Sequence, residues 1–333
     1  MTNALRTRIL IVKLSSLGDL FHALPTVHAL RNELDASVDW VVQQEYVELV
    51  GCFSDVERVI PFSRHAFLAN LPSFCRDLRL GDYDFVIDLQ GLMKSAVVTA
   101  LARGKRKIGP SFHRECSRLF YSEIAGERDL GRHAVDQNSD VLRHLEQKVS
   151  TPTFPVRFPD LSNGGEGVQV ALLPMSRWPA KNWPPGSFSA LTRTLLEDAN
   201  VTVTLLGGPD DIACCKEIEQ SAASPRVINL AGKESLPQLG SRLSVMDLLI
   251  CNDSGPVHMA AAVGTPTLVL FGPTDPDRTG PFGGEHRMIR APAPCEPCFS
   301  RNCTRHGAAC MSMIKVTDVA DAAFDMLATS RKN

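Results

Sequence analysis

The chain has 333 residues, of which 44% are hydrophobic and 22% are charged, and its formal net charge is -2. This composition is typical of a soluble globular protein, and the near-zero charge excludes a strongly basic nucleic-acid-binding chain. The length favours two domains. The apolar run near the N-terminus is too short for an export signal or a membrane span, so we expect a cytoplasmic protein.

Short β-branched runs alternate with helix-length segments along the whole chain. In chain order the predicted strands are RILIVKL, SVDWVVQ, RVIPF and YDFVIDL in the first half, and VQVALLP, VTVTLLGG, LLICND and TPTLVLFG in the second half. This alternation predicts an α/β fold in which helices cover both faces of parallel sheets.

A proline- and glycine-rich segment, 150–167, has little periodicity and is typical of a linker. We therefore expect an N-terminal domain over 1–155 and a C-terminal domain over 165–333. The last segment, VTDVADAAFDMLATS, has helical spacing and should close the fold as a helix, with packing back on the N-terminal domain left open.

In the first half, KLSSLGDLFHALP contains one carboxylate, Asp19, where the chain turns from a strand into a helix. It could be a simple helix cap or a general base. Further along, Lys94 follows another predicted strand, and the run 103–118 is strongly basic. Such a run is usually a solvated face, but it could also meet an anionic acceptor at a membrane surface.

Ligands of open α/β sheets bind at the carboxyl ends of strands, so the loops of the second half are candidate sites. In CNDSGPVHMAAAVG, Asp253 begins a turn that leaves the amides of Ser254 and Gly255 at a helix N-terminus. His258 could add a donor to a bound phosphate. An ordinary helix cap beside a surface histidine explains these residues about equally well.

Two further loops of the second half point the same way. The loop LLPMSRWPAKNWPPGSF offers Ser176 and Lys181, and Lys181 could reach a diphosphate or be a solvated lysine beside two tryptophans. The loop LLGGPDD ends in Asp211, which could bind ribose hydroxyls or cap a helix. Together the three loops predict a nucleotide-diphosphate site in the second half.

Several phosphate-binding motifs are missing from the sequence. There is no GxxxxGKS/T loop and no GxGxxG after the first strand, which weakens kinase and dehydrogenase interpretations. The TDPD stretch at 274–277 is similar to a metal-binding Asp-x-Asp, but we favour a proline turn. We therefore expect no metal in the reaction and no cofactor.

Several stretches together identify a family. KLSSLGD, DLQGLMKSA, KNWP, NDSGPVHMAAAVGTPTLVLFGPTDP and CEPCFSRNC, in this order, resemble the bacterial lipopolysaccharide heptosyltransferases of glycosyltransferase family 9 over nearly the whole chain. SSLGD and GLMKSA resemble heptosyltransferase I more than heptosyltransferase II. The resemblance implies a GT-B architecture of two Rossmann-like domains whose parallel sheets face a central cleft. It also implies that the C-terminal domain holds ADP-heptose and the N-terminal domain a Kdo-bearing lipid A acceptor.

The resemblance also implies a role for each matching residue. Asp19 matches the family's catalytic aspartate, and Lys181 matches its diphosphate-binding lysine. Compared with the family's pattern, one extra residue separates Ser176 from Lys181. Nucleotide-sugar binding is implied for Ser176, Asp211, Asp253, Ser254, Gly255 and His258, and acceptor binding for Lys13, Lys94 and Arg114.

The implied reaction is an inverting transfer of heptose from ADP-heptose to a Kdo hydroxyl of the lipopolysaccharide inner core. The enzyme would work in the cytoplasm, at the inner face of the inner membrane, without nucleic acid. Alternatives are another family 9 transferase, of the heptosyltransferase II type or with a different sugar donor, and a sugar-nucleotide epimerase or phosphohydrolase. A catalytically silent nucleotide-binding protein is a further alternative.

Four of the ten cysteines lie close together in the sequence: Cys295, Cys298, Cys303 and Cys310. With His306 among them they could bind a structural zinc ion, or they could be thiols or a disulfide that fix the loop. Neither interpretation gives them a part in the chemistry.

Overall fold

The chain forms two six-stranded sheets, one in each half, and the eight runs predicted as strands supply four strands of each sheet. The computed structural model describes residues 6–63, 67–161, 165–295, 297–303 and 310–330. The chain divides into two units, Met1–Arg157 and Phe158–Asn333. All neighbouring strands within each sheet are parallel, so the predicted α/β class with parallel sheets is confirmed.

Within its described residues the first unit contains six strands and six α-helices. Its strands are β1 (Thr7–Val12), β2 (Ala36–Gln43), β3 (Arg58–Phe62), β4 (Tyr83–Asp88), β5 (Gly104–Pro110) and β6 (Glu123–Ala125). Its helices are α1 (Leu17–Glu33), α2 (Val47–Val50), α3 (Phe67–Leu78), α4 (Met93–Leu101), α5 (Ala134–Asn138) and α6 (Asp140–His144).

The second unit repeats this plan. Its strands are β7 (Val168–Leu173), β8 (Val201–Leu205), β9 (Val227–Asn229), β10 (Leu248–Asn252), β11 (Thr267–Phe271) and β12 (His286–Arg290). Its helices are α7 (Pro185–Leu195), α8 (Ile212–Ala222), α9 (Leu236–Leu243), α10 (Pro256–Ala262), α11 (Pro276–Thr279) and α12 (Val316–Ser330). The last helix, α12, packs against α7, β10 and β11.

Both sheets have the strand order of the Rossmann fold. The order is β3-β2-β1-β4-β5-β6 in the first unit and β12-β11-β10-β7-β8-β9 in the second, which is the same order read from the opposite edge. The chain reverses its direction of winding between β1 and β4 and between β7 and β10. Ligands of such sheets bind beyond the carboxyl ends of those strands, so each unit has one preferred place for a site.

The basic run at 103–118 is only partly the solvated face that its charge suggests. Its first residues form the inner strand β5. Lys105 Nζ lies 2.7 Å from Asp84 Oδ1, and Arg106 Nη2 lies 2.5 Å from Glu123 Oε2. These ion pairs neutralise two of the positive charges, so the run is not one continuous cationic patch.

Within the ranges that the structure describes, no helix is both long enough and apolar enough to cross a membrane.

Candidate active site

The loops that follow β1 and β4 form one surface at the carboxyl edge of the first sheet. The amides of Leu14 and Ser15 both donate to Gln90 Oε1 at 3.0 Å, and Lys94 Nζ donates to Ser15 Oγ at 3.4 Å. Sequence reasoning missed Gln90, although it lies in the DLQG stretch that drew attention to Lys94. This glutamine joins the two loops at the point where the winding of the sheet reverses.

Asp19 is the third residue of α1, just after the strand-end loop. Its Oδ2 atom accepts hydrogen bonds from Ser16 N at 3.0 Å and from Ser16 Oγ at 2.8 Å. The side chain is 44% exposed, and Oδ1 lies 4.0 Å from His22 Nδ1. Among the described residues no group donates a hydrogen bond to Oδ1, so one carboxylate oxygen fixes the helix start and the other remains available to a ligand.

Lys13 lies beneath this surface. Its side chain is 4% exposed, and Nζ donates to the Leu89 carbonyl at 2.6 Å. Burial lowers the pKa of Lys13, while the carboxylates of Asp19 and Asp88 oppose this shift. With so little exposed surface, Lys13 supports the loop after β4, and its assignment to acceptor binding stays a prediction.

Two other cations lie at the same edge of the sheet. Lys94 is the second residue of α4 and is half-buried, whereas Arg114 is exposed. The Arg114 amide donates to the Gly91 carbonyl at 2.8 Å. Gly91 has φ +70, and a Cβ there would lie 2.9 Å from Pro110 Cγ, so only glycine suits this turn. The turn thereby brings Arg114 next to the loop that carries Lys94.

In the second unit an ion pair joins the loop that follows β7 to the loop that follows β10. Lys181 Nζ lies 2.5 Å from Asp253 Oδ2, with the two side chains 15% and 8% exposed. Thr274 Oγ1 donates to the same carboxylate oxygen at 2.6 Å. Three separate loops, after β7, β10 and β11, therefore meet at one carboxylate.

Two asparagines that sequence reasoning missed hold the Lys181 loop. Asn182 Oδ1 accepts from Ser176 N at 2.8 Å and from Ser176 Oγ at 2.9 Å. Asn252 Oδ1 accepts from Trp183 N at 3.1 Å, and its Nδ2 donates to the Pro174 carbonyl at 2.6 Å. Ser176 thus has a structural partner, and Asn252 fastens both ends of the loop to the end of β10.

The turn after β10 agrees with its predicted geometry. Pro256 is the first residue of α10, and the His258 amide donates to the Gly255 carbonyl at 3.1 Å. His258 is 7% exposed. Ser254 Oγ is buried and makes no hydrogen bond with any residue that the structure describes. A buried hydroxyl without a partner is unusual. Ser254 Oγ is therefore a candidate donor of a hydrogen bond to a ligand oxygen at this turn.

The other acidic residues of this edge have local partners. Asp211 Oδ2 accepts from the Gly208 amide at 2.8 Å, and burial raises the pKa of Asp211. In the TDPD stretch, Asp275 Oδ1 accepts from the Asp277 amide at 3.1 Å at the start of α11, and Asp277 pairs with Arg290 at 2.8 Å. Ribose binding by Asp211 stays a prediction.

The four clustered cysteines are free thiols. Cys295 and Cys310 are half-buried, and Cys298 and Cys303 are exposed. Burial raises the pKa of Cys310, and the three other thiols add to this shift. Among described residues no group of three or more potential ligands is arranged to hold a metal ion. His306 lies outside the described residues.

Solved structures of glycosyltransferases are similar to this chain over nearly its whole length. The E. coli heptosyltransferase WaaC with ADP has a TM-score of 0.81 and 26% identity, covering 96% of this chain and 100% of that chain. WaaC with ADP-2-deoxy-2-fluoro heptose has a TM-score of 0.77 and 26% identity, covering 96% and 99%. The two Rossmann-ordered sheets and the likeness to these structures place the chain in the GT-B class of glycosyltransferases, as predicted.

The family follows from the sequence comparisons. The profile of glycosyltransferase family 9 (heptosyltransferase) matches residues 72–309, and the chain belongs to this family. The lipopolysaccharide heptosyltransferase 1 of Pseudomonas aeruginosa is 31% identical, covering 89% of this chain and 87% of the relative. The lipopolysaccharide heptosyltransferase 1 of Escherichia coli K12 is 30% identical, covering 86% of this chain and 94% of the relative.

Proposed function

We propose that this glycosyltransferase moves heptose from ADP-heptose to a Kdo hydroxyl of the lipopolysaccharide inner core, with inversion at the anomeric carbon. Two relatives at 30% identity or more are named lipopolysaccharide heptosyltransferase 1. A similar structure contains ADP, and another contains a fluorinated ADP-heptose. These names support an acceptor of the heptosyltransferase I type.

The observation that carries the proposal is the ion pair of Lys181 with Asp253. A lysine held at the point where the second sheet reverses its winding is well suited to bind a diphosphate, because that is where nucleotides bind in Rossmann folds. The unpartnered Ser254 hydroxyl and the adjacent His258 support the same assignment. As the bond to the sugar breaks, negative charge grows on the departing ADP, and Lys181 stabilises it.

Asp19 is the proposed general base. Its Oδ1 atom takes the proton of the attacking Kdo hydroxyl while the new carbon–oxygen bond forms and the bond to the diphosphate breaks. The proton later passes from Asp19 to solvent. The second oxygen keeps its hydrogen bonds to Ser16, so the carboxylate need not leave its place in the helix start.

Lys94 and Arg114 are the proposed acceptor contacts. A Kdo-bearing lipid A carries carboxylates and phosphates, and cations at the carboxyl edge of the first sheet would attract them. Because this acceptor is a lipid, we further propose that the protein acts in the cytoplasm, at the inner surface of the inner membrane.

An acceptor-dependence assay tests the proposed function. The protein is incubated with ADP-heptose, with and without Kdo-bearing lipid A, and released ADP is measured. We expect ADP release only when both are present, and little release from UDP-glucose as the control donor. Turnover of ADP-heptose without acceptor would instead indicate a phosphohydrolase or epimerase. Transfer only to an acceptor that already carries heptose would indicate a heptosyltransferase II type.

A further inference from the structure

A partly exposed tryptophan in the Lys181 loop has two cations against its ring. Lys181 Nζ lies 4.7 Å from the centroid of the Trp178 ring, and the Arg301 guanidinium carbon lies 5.3 Å from the same centroid. The two cations are therefore no further apart than the sum of these distances. Both contacts are within the range of cation–π attraction. Arg301 therefore contacts the same aromatic ring as the lysine that we assign to the diphosphate.

The backbone around Arg301 is fastened to the loops of the candidate site. The Arg301 carbonyl accepts from the Ala180 amide at 3.1 Å, next to Lys181. The Phe299 amide donates to the Pro273 carbonyl at 2.7 Å, next to Thr274. The segment 297–303 is therefore joined to two of the three loops that meet at Asp253. This double attachment fixes where the Arg301 side chain begins.

Among the described residues of the site, Arg301 is a cation without a carboxylate partner. The ammonium of Lys181 is paired with the Asp253 carboxylate, so their charges largely cancel. Arg301 is exposed, and no carboxylate of a described residue lies within ion-pair distance of it. The nearby helix α10 has only seven residues, so its dipole adds little positive charge. A diphosphate carries at least two negative charges and needs more cation than the Lys181–Asp253 pair offers.

We propose that Arg301 is a second cation of the donor site and binds an oxygen of the diphosphate, with Trp178 orienting its guanidinium. This assignment rests on the proposed function, since it presupposes a diphosphate donor. Arginine is suited to the task because its planar guanidinium both stacks on an aromatic ring and donates two hydrogen bonds to a phosphate.

Calorimetric titration with ADP and with AMP tests this proposal. The variants are Arg301→Gln, which removes the charge, and Arg301→Lys, which keeps it. The matched control is Arg287→Ala, an exposed arginine of the same unit on β12 whose partner is Asp325. We expect Arg301→Gln to lower the affinity for ADP about tenfold and the affinity for AMP by less. The affinity for ADP should also become less dependent on salt. Arg301→Lys should recover most of the ADP affinity, and Arg287→Ala should change neither nucleotide.

The outcomes separate this proposal from the proposed function. Failure of the wild-type protein to bind ADP would overturn both. If wild type binds ADP and Arg301→Gln binds it with equal affinity and equal salt dependence, only the role of Arg301 is overturned. Equal weakening of ADP and AMP without recovery in Arg301→Lys would make Arg301 a structural residue, which also contradicts the proposal.

Discussion

At the scale of single residues, the two oxygens of Asp19 have different surroundings. Oδ2 receives two hydrogen bonds from Ser16, whereas the nearest ionisable partner of Oδ1 among the described residues is His22 Nδ1 at 4.0 Å. From the sequence, a helix cap and a general base looked like competing explanations of this residue. The geometry makes them compatible, because each explanation needs only one oxygen.

The Asp19→Asn variant separates the two tasks of this residue. An amide oxygen can still accept from Ser16, so the free energy of unfolding should fall by at most about 1 kcal/mol. An amide cannot take a proton, so kcat should fall by about 10² to 10⁴, while ADP-heptose still binds. Denaturant unfolding and steady-state kinetics measure the two effects. A variant that keeps most of its rate would reduce Asp19 to a helix-start residue.

Removing the ammonium of Lys181 should affect both catalysis and stability. In Lys181→Ala, kcat/KM should fall about 10²- to 10³-fold because a donor to the departing diphosphate is lost. The free energy of unfolding should also fall, since the Asp253 carboxylate is left buried with Thr274 as its one remaining partner among the described residues.

The double variant Lys181→Ala/Asp253→Asn is the matched control for the loss of Lys181. It should recover stability because it removes the unpaired charge of Asp253. It should not recover activity because the cation proposed to bind the diphosphate is still missing. Near-normal kcat/KM in Lys181→Ala would contradict the assignment of this lysine to the diphosphate.

At the scale of elements, strands β5 and β6 are linked through charged side chains. Arg106 lowers the pKa of Glu123 to about 2, and His144 adds to this shift. A carboxyl group whose pKa falls on folding contributes stability above its unfolded pKa and loses it as the pH falls towards the folded pKa. The pair should therefore stabilise the first unit at neutral pH.

Glu123→Gln tests this linkage. The variant should lose about 1 kcal/mol of unfolding free energy at pH 7, a modest value because the pair is partly exposed. The difference from wild type should shrink as the pH falls from about 4.5 towards 2. Urea unfolding at several pH values measures it. A difference that does not change with pH would exclude the ion pair as its cause.

Arg114 tests the division of ligands between elements. Arg114→Ala should raise KM for the lipid acceptor several-fold and leave ADP affinity unchanged, because Arg114 belongs to the first unit and the proposed diphosphate residues to the second. Arg103→Ala is the matched control, since Arg103 is an exposed arginine of the same basic run at the opposite end of β5. Equal loss for acceptor and ADP in Arg114→Ala would contradict this division.

Strands were predicted well from the sequence where nearly all their residues are apolar and buried. They were predicted poorly where charged residues are neutralised by ion pairs within the sheet. The runs that became β1, β2, β7 and β10 are almost entirely buried, so β-branched composition identified them. Strand β5 was missed because GKRKIGP has the composition of a surface segment. Its cations are neutralised by Asp84 and Glu123 on neighbouring strands, and such partners cannot be found from local pattern.

The candidate site was predictable to the same extent. Asp253 directly follows a strand, and Asp19 and Lys181 lie a few residues beyond one, so the strand-end rule selected them as candidates. Trp178 and Arg301 were missed as a pair because they are far apart in the sequence and meet only through folding.

At the scale of the whole molecule, the proposed chemistry requires no metal ion. In this proposal Lys181 and Arg301 supply positive charge at the donor site, so transfer should continue at an unchanged rate in excess chelator. Released ADP, measured with and without EDTA, checks this expectation. A loss of rate that magnesium or manganese restores specifically would contradict it and would return attention to Asp275 and Asp277.

The pairing of Lys181 with Asp253 has a consequence for the turnover cycle. A lysine that already has a carboxylate partner is a poor trap for chloride or a single phosphate, since either ion must displace Asp253 for one contact in return. A diphosphate contacts several groups at once and can therefore displace Asp253 from Lys181. If Lys181 binds the diphosphate as proposed, Asp253 should compete again for the ammonium once the sugar has left and help to expel the spent nucleotide. We therefore expect the same carboxylate to protect the empty enzyme from abundant small anions and to hasten product release.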